Sequence, residues 1–123
     1  MKAIKLLFAT VIAFVTFQSG TAHSDKTQRT AGIITATIKI YGECTMCKKK
    51  IETAAYSVAG IKSEVWNEDS KLLTIKYSVF KKEAIDNVQR NISSAGYDTE
   101  QYRSGDAAYL KLPGCCQYQR KQS

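Results

Sequence analysis

Residues 33–60, IITATIKIYGECTMCKKKIETAAYSVAG, contain the change of periodicity that decides the fold. Every second residue from Ile34 to Ile40 is apolar, and a period of two is typical of a half-buried strand. After Cys47 the apolar residues recur at helical spacing, and Gly60 ends this pattern where a left-handed cap residue is favoured. The stretch therefore predicts a strand, a loop carrying a Cys-x-x-Cys motif, and an amphipathic helix.

The next 40 or so residues continue the alternation of strands and helices. Residues 61–66 and 72–77 are strand-like runs joined by a polar turn, which predicts a hairpin. A second amphipathic helix is predicted over residues 84–95, with Ser78 as its N-cap, and residues 97–102 form a short polar edge strand. The order β-α-β-β-α-β predicts an α+β ferredoxin-like sandwich, in which a four-stranded antiparallel sheet carries two helices on one face.

The chain of 123 residues is long enough for one domain with a segment at each end. Its start combines two lysines, a short apolar run and a small-residue cleavage site, which indicates a secretory signal peptide. The apolar run is shorter than the roughly 20 residues that span a bilayer, although an uncleaved membrane anchor is the alternative. We therefore expect an exported protein, periplasmic or secreted. The predicted segments are a signal peptide (1–22), a flexible leader (23–32), the domain (33–103) and a tail with a short helix (104–123).

Cys44 and Cys47 are the predicted primary metal ligands. Two intervening residues let both sulfurs face one ion from a single loop, and the following helix N-terminus favours thiolate over thiol. Thiolates are soft ligands, and a two-thiolate site suits an ion of low coordination such as Cu(I) or Hg(II), whereas Zn(II) usually takes four ligands. Cu(I) is therefore the preferred ion. A resting disulfide between the two cysteines is the alternative.

Residues 33–102 resemble the heavy-metal-associated domain family, which includes copper chaperones and the periplasmic mercury-binding protein. The features that carry the resemblance are the first strand, the Cys-x-x-Cys motif, Lys48-Lys49-Lys50-Ile51-Glu52, Val58-Ala59-Gly60-Ile61 and Ser94-Ala95-Gly96-Tyr97. The resemblance implies a carrier or scavenger of a heavy-metal ion whose partner is a metal-transporting ATPase or another metal-binding domain. It also implies that Tyr97 lies beside the metal loop, and a plain packing role for Tyr97 is the alternative. The sequence departs from the family where Gly42-Glu43-Cys44 lacks the methionine that normally packs beneath that loop.

Cys115 and Cys116 lie in the tail, outside the region of resemblance. A disulfide between adjacent cysteines is hard to form because the required geometry is difficult to reach across one peptide. We therefore expect both to serve as further metal ligands or to bond elsewhere. If the tail turns back towards the loop, the site gains a third and fourth thiolate, and Zn(II) becomes a suitable ion as well.

The composition argues against two other classes of function. The net charge of +7 is moderate and its lysines are scattered, so nucleic-acid binding is not expected. The alternative function is a small thiol–disulfide oxidoreductase that uses the same motif. Such enzymes usually have a proline beside the active site, whereas the only proline of this chain is Pro113, far downstream in the tail. We expect no enzyme. A disulfide-stapled binding module without metal is a third possibility, and the sequence fixes neither the ion, the partner nor the oligomeric state.

Overall fold

A computed structural model of the chain describes residues 32–122. The predicted signal peptide (1–22) and all but the last residue of the predicted leader lie outside the described residues. Within the described range, no helix is long and apolar enough to cross a membrane.

The described chain contains three strands, three α-helices and one 3-10 turn. Their bounds are β1 (Ile33–Lys39), α1 (Thr45–Tyr56), β2 (Ile61–Trp66), β3 (Leu72–Ser78), α2 (Ala84–Ser94), α3 (Asp106–Leu110) and the 3-10 turn (Gly114–Cys116). The predicted order of strand, helix, strand, strand and helix is therefore confirmed. The prediction of Ser78 as an N-cap is wrong, because Ser78 pairs with Ile33 in the sheet and Glu83 precedes α2 instead.

The sheet has the order β1-β3-β2, with both neighbouring pairs antiparallel. Its central strand places Leu73 and Ile75 in the core with no exposed surface, as the period of two predicts. Helix α1 packs against β2 and α2, and it buries Ile51 and Ala55 in the same core. The two helices thus hold the loop before α1 at one end of the sheet.

The predicted four-stranded sheet is not formed, and the described residues make a three-stranded sheet. Residues 97–102 contribute only one antiparallel bridge, between Ile40 and Thr99. The reason is local, because the Thr99 N–H donates to the Tyr102 carbonyl at 2.7 Å and so bends the segment into a turn. The Thr99 hydroxyl also donates to Gln89 Oε1 on α2, at 2.9 Å. These bonds replace the ladder that a fourth strand would need.

The tail folds back onto the end of α2. Gly96 has a φ of +110°, and a Cβ there would lie 2.9 Å from the Ala108 carbonyl oxygen and 3.1 Å from the Leu112 side chain. The Tyr118 hydroxyl donates to the Gly96 carbonyl at 2.7 Å. Only glycine permits both this backbone conformation and this close approach. The tail therefore shares one core with the helices and the sheet, with Leu112 and Tyr118 both buried.

Candidate metal centre

The loop before α1 is supported from below by an indole ring. Cys44 is the N-cap of α1, with extended backbone at φ −136°, and Cys47 lies in the first turn. Trp66 has no exposed surface, and its Nε1 donates to the Ile40 carbonyl at 3.1 Å. A Cβ on Gly42 would lie 2.9 Å from this ring. The tryptophan thus packs directly against the backbone that leads into the cysteine loop.

Three thiols converge on Cys44. Its Sγ lies 3.5 Å from the Sγ of Cys47 and 3.8 Å from the Sγ of Cys116. The sulfurs of Cys44, Cys115 and Cys116 all lie within 4.8 Å of one another. The direction of the tail, which the sequence left open, is therefore settled: the tail returns to the loop and brings both of its cysteines to the Cys-x-x-Cys motif.

These separations match those of sulfurs that share one ion. Two sulfurs bound to an ion at about 2.3 Å each lie roughly 3.8 Å apart at a tetrahedral angle and roughly 4.6 Å apart in a line. The distances of 3.5 Å and 3.8 Å from Cys44 fall close to the tetrahedral value. An ion could therefore be held with only small movements of the side chains.

The four cysteines differ in their exposure to solvent, and all four are free thiols. Cys47 and Cys116 have no exposed surface, Cys44 is half-buried, and Cys115 is exposed. The cluster therefore has a closed inner side and an open outer side. Soft thiolate donors with one open side suit a site that exchanges its ion with a partner.

The environment shifts the pKa values of Cys44 and Cys116 in opposite directions. Hydrogen bonding with the backbone and the thiol of Cys47 holds the pKa of Cys44 below its ordinary value. Burial, with the neighbouring thiols of Cys47 and Cys44, raises the pKa of Cys116 to about 12. Cys44 is thus readier than Cys116 to bind as a thiolate, and Cys116 must lose its proton to an incoming ion.

Residues 43–98 match the sequence model of the heavy-metal-associated domain. This segment of the chain is therefore similar to the heavy-metal-associated domain. The match includes Cys44 and Cys47 but ends before Cys115 and Cys116, so the tail cysteines are an addition to the matched region.

Two solved structures are similar to this chain. One is a CopZ metallochaperone, 24% identical in sequence, with a TM-score of 0.49 over 53% of this chain and 97% of that chain. The other is described as a proposed copper-ion-binding protein from Bacillus anthracis str. Ames, 15% identical, with a TM-score of 0.52 over 58% of this chain and all of that chain. At this level of identity, the second structure shows a shared fold. No curated protein matches the chain.

Tyr97 lies beside the thiols of Cys47 and Cys116. Its ring has no exposed surface, and its hydroxyl has no hydrogen-bond partner. Burial raises its pKa, and so do the neighbouring thiols of Cys47 and Cys116. The position that the resemblance implied is therefore confirmed. A neutral phenol beside two thiols can donate to a thiolate, and this would satisfy a hydroxyl that is otherwise left unpaired.

A buried ion pair fixes the tail beside this domain. Asp98 has no exposed surface and accepts from the Ser104 N–H at 2.8 Å and the Lys121 N–H at 2.9 Å. Arg120 approaches the same carboxylate at 3.0 Å and also pairs with the exposed Asp106 at 2.5 Å. The contact between Asp98 and Arg120 spans 22 residues, so no local sequence pattern could have identified it.

The remaining predicted features lie around the loop. Lys48 forms an ion pair with Glu52 at 3.7 Å, while Lys49 and Lys50 are exposed on α1. Met46 is 50% exposed, because it lies on the outer side of the first helical turn.

Proposed function

We propose that the chain binds a soft metal ion, with Cu(I) preferred, between Cys44, Cys47 and Cys116, and acts outside the cytoplasm as a carrier or scavenger. The observation that carries this proposal is the position of the Cys44 sulfur, 3.5 Å and 3.8 Å from two other thiols. Thiolates select soft ions, and the fold places the Cys-x-x-Cys motif at the N-terminus of α1, where thiolates are favoured. In this proposal the chain catalyses no reaction.

The tail changes what such a site does. A two-thiolate loop releases its ion readily to another pair of thiolates, because the partner can replace one ligand at a time. A third thiolate from the buried Cys116 must also be displaced before release. The site therefore favours retention over rapid delivery. A metal-transporting ATPase or another metal-binding domain is the kind of partner that can supply competing thiolates at the open side.

The choice of Cu(I) rests on the number and type of donors. Three thiolates suit Cu(I) or Hg(II), and the addition of the exposed Cys115 would complete a four-thiolate site for Zn(II). The Bacillus anthracis protein that shares this fold is described as a proposed copper-ion-binding protein, in agreement with Cu(I).

The proposal is tested by the affinities of the reduced chain, purified without the signal peptide under anaerobic conditions. Competition with chelators should give a higher affinity for Cu(I) than for Zn(II), with Hg(II) measured in the same way. Cys44→Ser should remove tight Cu(I) binding, because this residue contacts both other thiols. Met46→Leu is the matched control, since the thioether is adjacent and half exposed. Tight Cu(I) binding by Cys44→Ser would overturn the assignment.

A further inference from the structure

We propose that the four cysteines bind two Cu(I) ions that share the sulfurs of Cys44 and Cys116. The inner ion is completed by Cys47 and the outer ion by Cys115. This inference rests on the proposed function, and it adds a second metal position and a stoichiometry of two to that site.

The arrangement of the sulfurs provides two overlapping sets of ligands. Cys44 makes close contacts with the buried Cys47 at 3.5 Å and with Cys116 at 3.8 Å. It also forms a compact group with both tail cysteines, in which no two sulfurs are more than 4.8 Å apart. A thiolate sulfur has several lone pairs and can bridge two ions. The two sulfurs common to both sets, those of Cys44 and Cys116, are therefore the natural bridges.

Charge balance also favours a second ion. Three thiolates around one Cu(I) carry a net charge of about −2, and ionisation of Cys115 around the same ion would increase this to about −3. A second Cu(I) returns the four-thiolate group to about −2. Concentrated negative charge is costly in a partly buried site. The fourth cysteine and the second ion thus enter together with no change in net charge.

The difference in burial gives the two positions different roles. Cys47 and Cys116 have no exposed surface, whereas Cys115 is exposed on the 3-10 turn. The outer ion is consequently the one that a competing ligand can reach. We expect it to exchange first, while the inner ion is retained.

The test is a titration of the reduced, monomeric chain with Cu(I) in the presence of a chromophoric Cu(I) chelator. Native mass spectrometry counts the bound ions. X-ray absorption reports a copper–copper distance, and luminescence reports a shielded polynuclear Cu(I)–thiolate core. Wild-type chain should bind two Cu(I) per monomer with a copper–copper signal. Cys115→Ser should bind one, lose that signal, and keep the affinity of the first ion within about threefold.

Cys115→Ser is a safe variant because the side chain is exposed, and Met46→Leu serves as the control that should still bind two. Saturation of the wild-type chain at one Cu(I) would overturn the second position while leaving the proposed function intact. A second ion that persists in Cys115→Ser, or that appears only in dimers, would overturn it as well. Failure to bind any Cu(I) tightly would overturn both proposals.

Discussion

The ring of Tyr118 stacks on the ring of Tyr97, with the centroids 5.7 Å apart and the ring planes inclined by 21°. The hydroxyl of Tyr97 faces the thiols of Cys47 and Cys116, and Tyr118 belongs to the tail that carries Cys116. The stacked pair therefore connects the tail, through Tyr118, to the side chain of Tyr97 beside the thiols. The tail and the loop form a single structural unit, so a change in either should alter metal binding.

Replacement of Cys116 by serine should weaken Cu(I) binding by about 100-fold and leave a two-sulfur site. The reason is the loss of the thiolate that lies 3.8 Å from Cys44, since a loss of about 2.7 kcal/mol in binding free energy corresponds to a factor of about 100. Chelator competition measures the affinity, and X-ray absorption measures the number of sulfur ligands. An unchanged affinity with two-sulfur coordination in both proteins would show that Cys116 is not a ligand.

A point variant tests the tail better than its removal does. A chain ending at Arg103 would expose the ring of Tyr97 and leave the buried Asp98 without its Arg120 partner. Leaving an uncompensated buried charge is strongly destabilising. If the shortened chain lost metal binding, the measurement could therefore not distinguish unfolding from the loss of a ligand.

Tyr97→Phe should separate the stability of the metal-free protein from metal affinity. Without metal, the variant should be as stable as the wild type or slightly more stable, because it removes a buried hydroxyl with no partner. With Cu(I) bound, it should lose a donor to the thiolates, and the affinity should fall by about 10-fold. Thermal unfolding of both forms and Cu(I) competition check the two effects. A fall in metal-free stability without any change in affinity would contradict a role at the thiols.

The ion pair between Asp98 and Arg120 should make stability dependent on pH. Burial works against ionisation of Asp98, but hydrogen bonds from Arg120, Ser104 and Lys121 outweigh it and lower the pKa of this carboxyl. The unfolded pKa is about 3.9, so the stabilisation is fully present above about pH 4 to 5. It is lost as the pH falls through the lower folded pKa.

Asp98→Asn should therefore lower the free energy of unfolding by about 3 kcal/mol at pH 7, and this deficit should shrink in acid. Denaturant unfolding at several pH values measures it. Asp106→Asn is the matched control, because this carboxylate pairs with the same Arg120 but is 83% exposed. An exposed ion pair contributes about 1 kcal/mol or less. Equal losses in the two variants, or a deficit independent of pH, would contradict the assignment.

Much of the fold could be predicted because its signals are local. The alternation from Ile34 to Ile40 and the helical spacing after Cys47 each lie within one element, and the cysteine motif lies between them. The missing fourth strand had no such signal, since the turn at Thr99 depends on Gln89 of α2. The return of the tail likewise depends on packing against Gly96.

The centre itself was only partly predictable for the same reason. The spacing of Cys44 and Cys47 identifies a pair of thiols from four consecutive residues. The contact of Cys44 with Cys116 joins residues 72 positions apart. The support of the loop by Trp66 depends on where β2 ends relative to β1, and this register is set by the whole sheet.

Export of the protein remains a prediction. The basic start and the short apolar run within residues 1–22 predict cleavage after Ala22. Mass spectrometry of the protein isolated from its own cells should therefore find a chain that starts near His23. A chain that still begins at Met1 would contradict cleavage, and recovery from the cytoplasmic fraction would contradict export.

Gly42→Ala should damage the metal centre through the packing beneath the loop. A Cβ at this position would lie 2.9 Å from the Trp66 ring and 3.0 Å from the Ile51 side chain, both of which have no exposed surface. Neither neighbour can move freely, because both are packed in the core. The indole is held in addition by its hydrogen bond to the Ile40 carbonyl. Overpacking of this kind costs about 1–3 kcal/mol. The loop that carries Cys44 should shift as well.

We therefore expect Gly42→Ala to be less stable than the wild type by about 2 kcal/mol and to bind Cu(I) more weakly. Denaturant unfolding and chelator competition provide the two measurements. Gly105→Ala is the matched control, because a Cβ there meets no atom within 4 Å and the backbone is extended, with φ −60° and ψ 143°. That variant should be neutral or slightly more stable, since alanine restricts the unfolded chain. If Gly42→Ala matches Gly105→Ala in both measurements, Trp66 does not set the position of the cysteine loop.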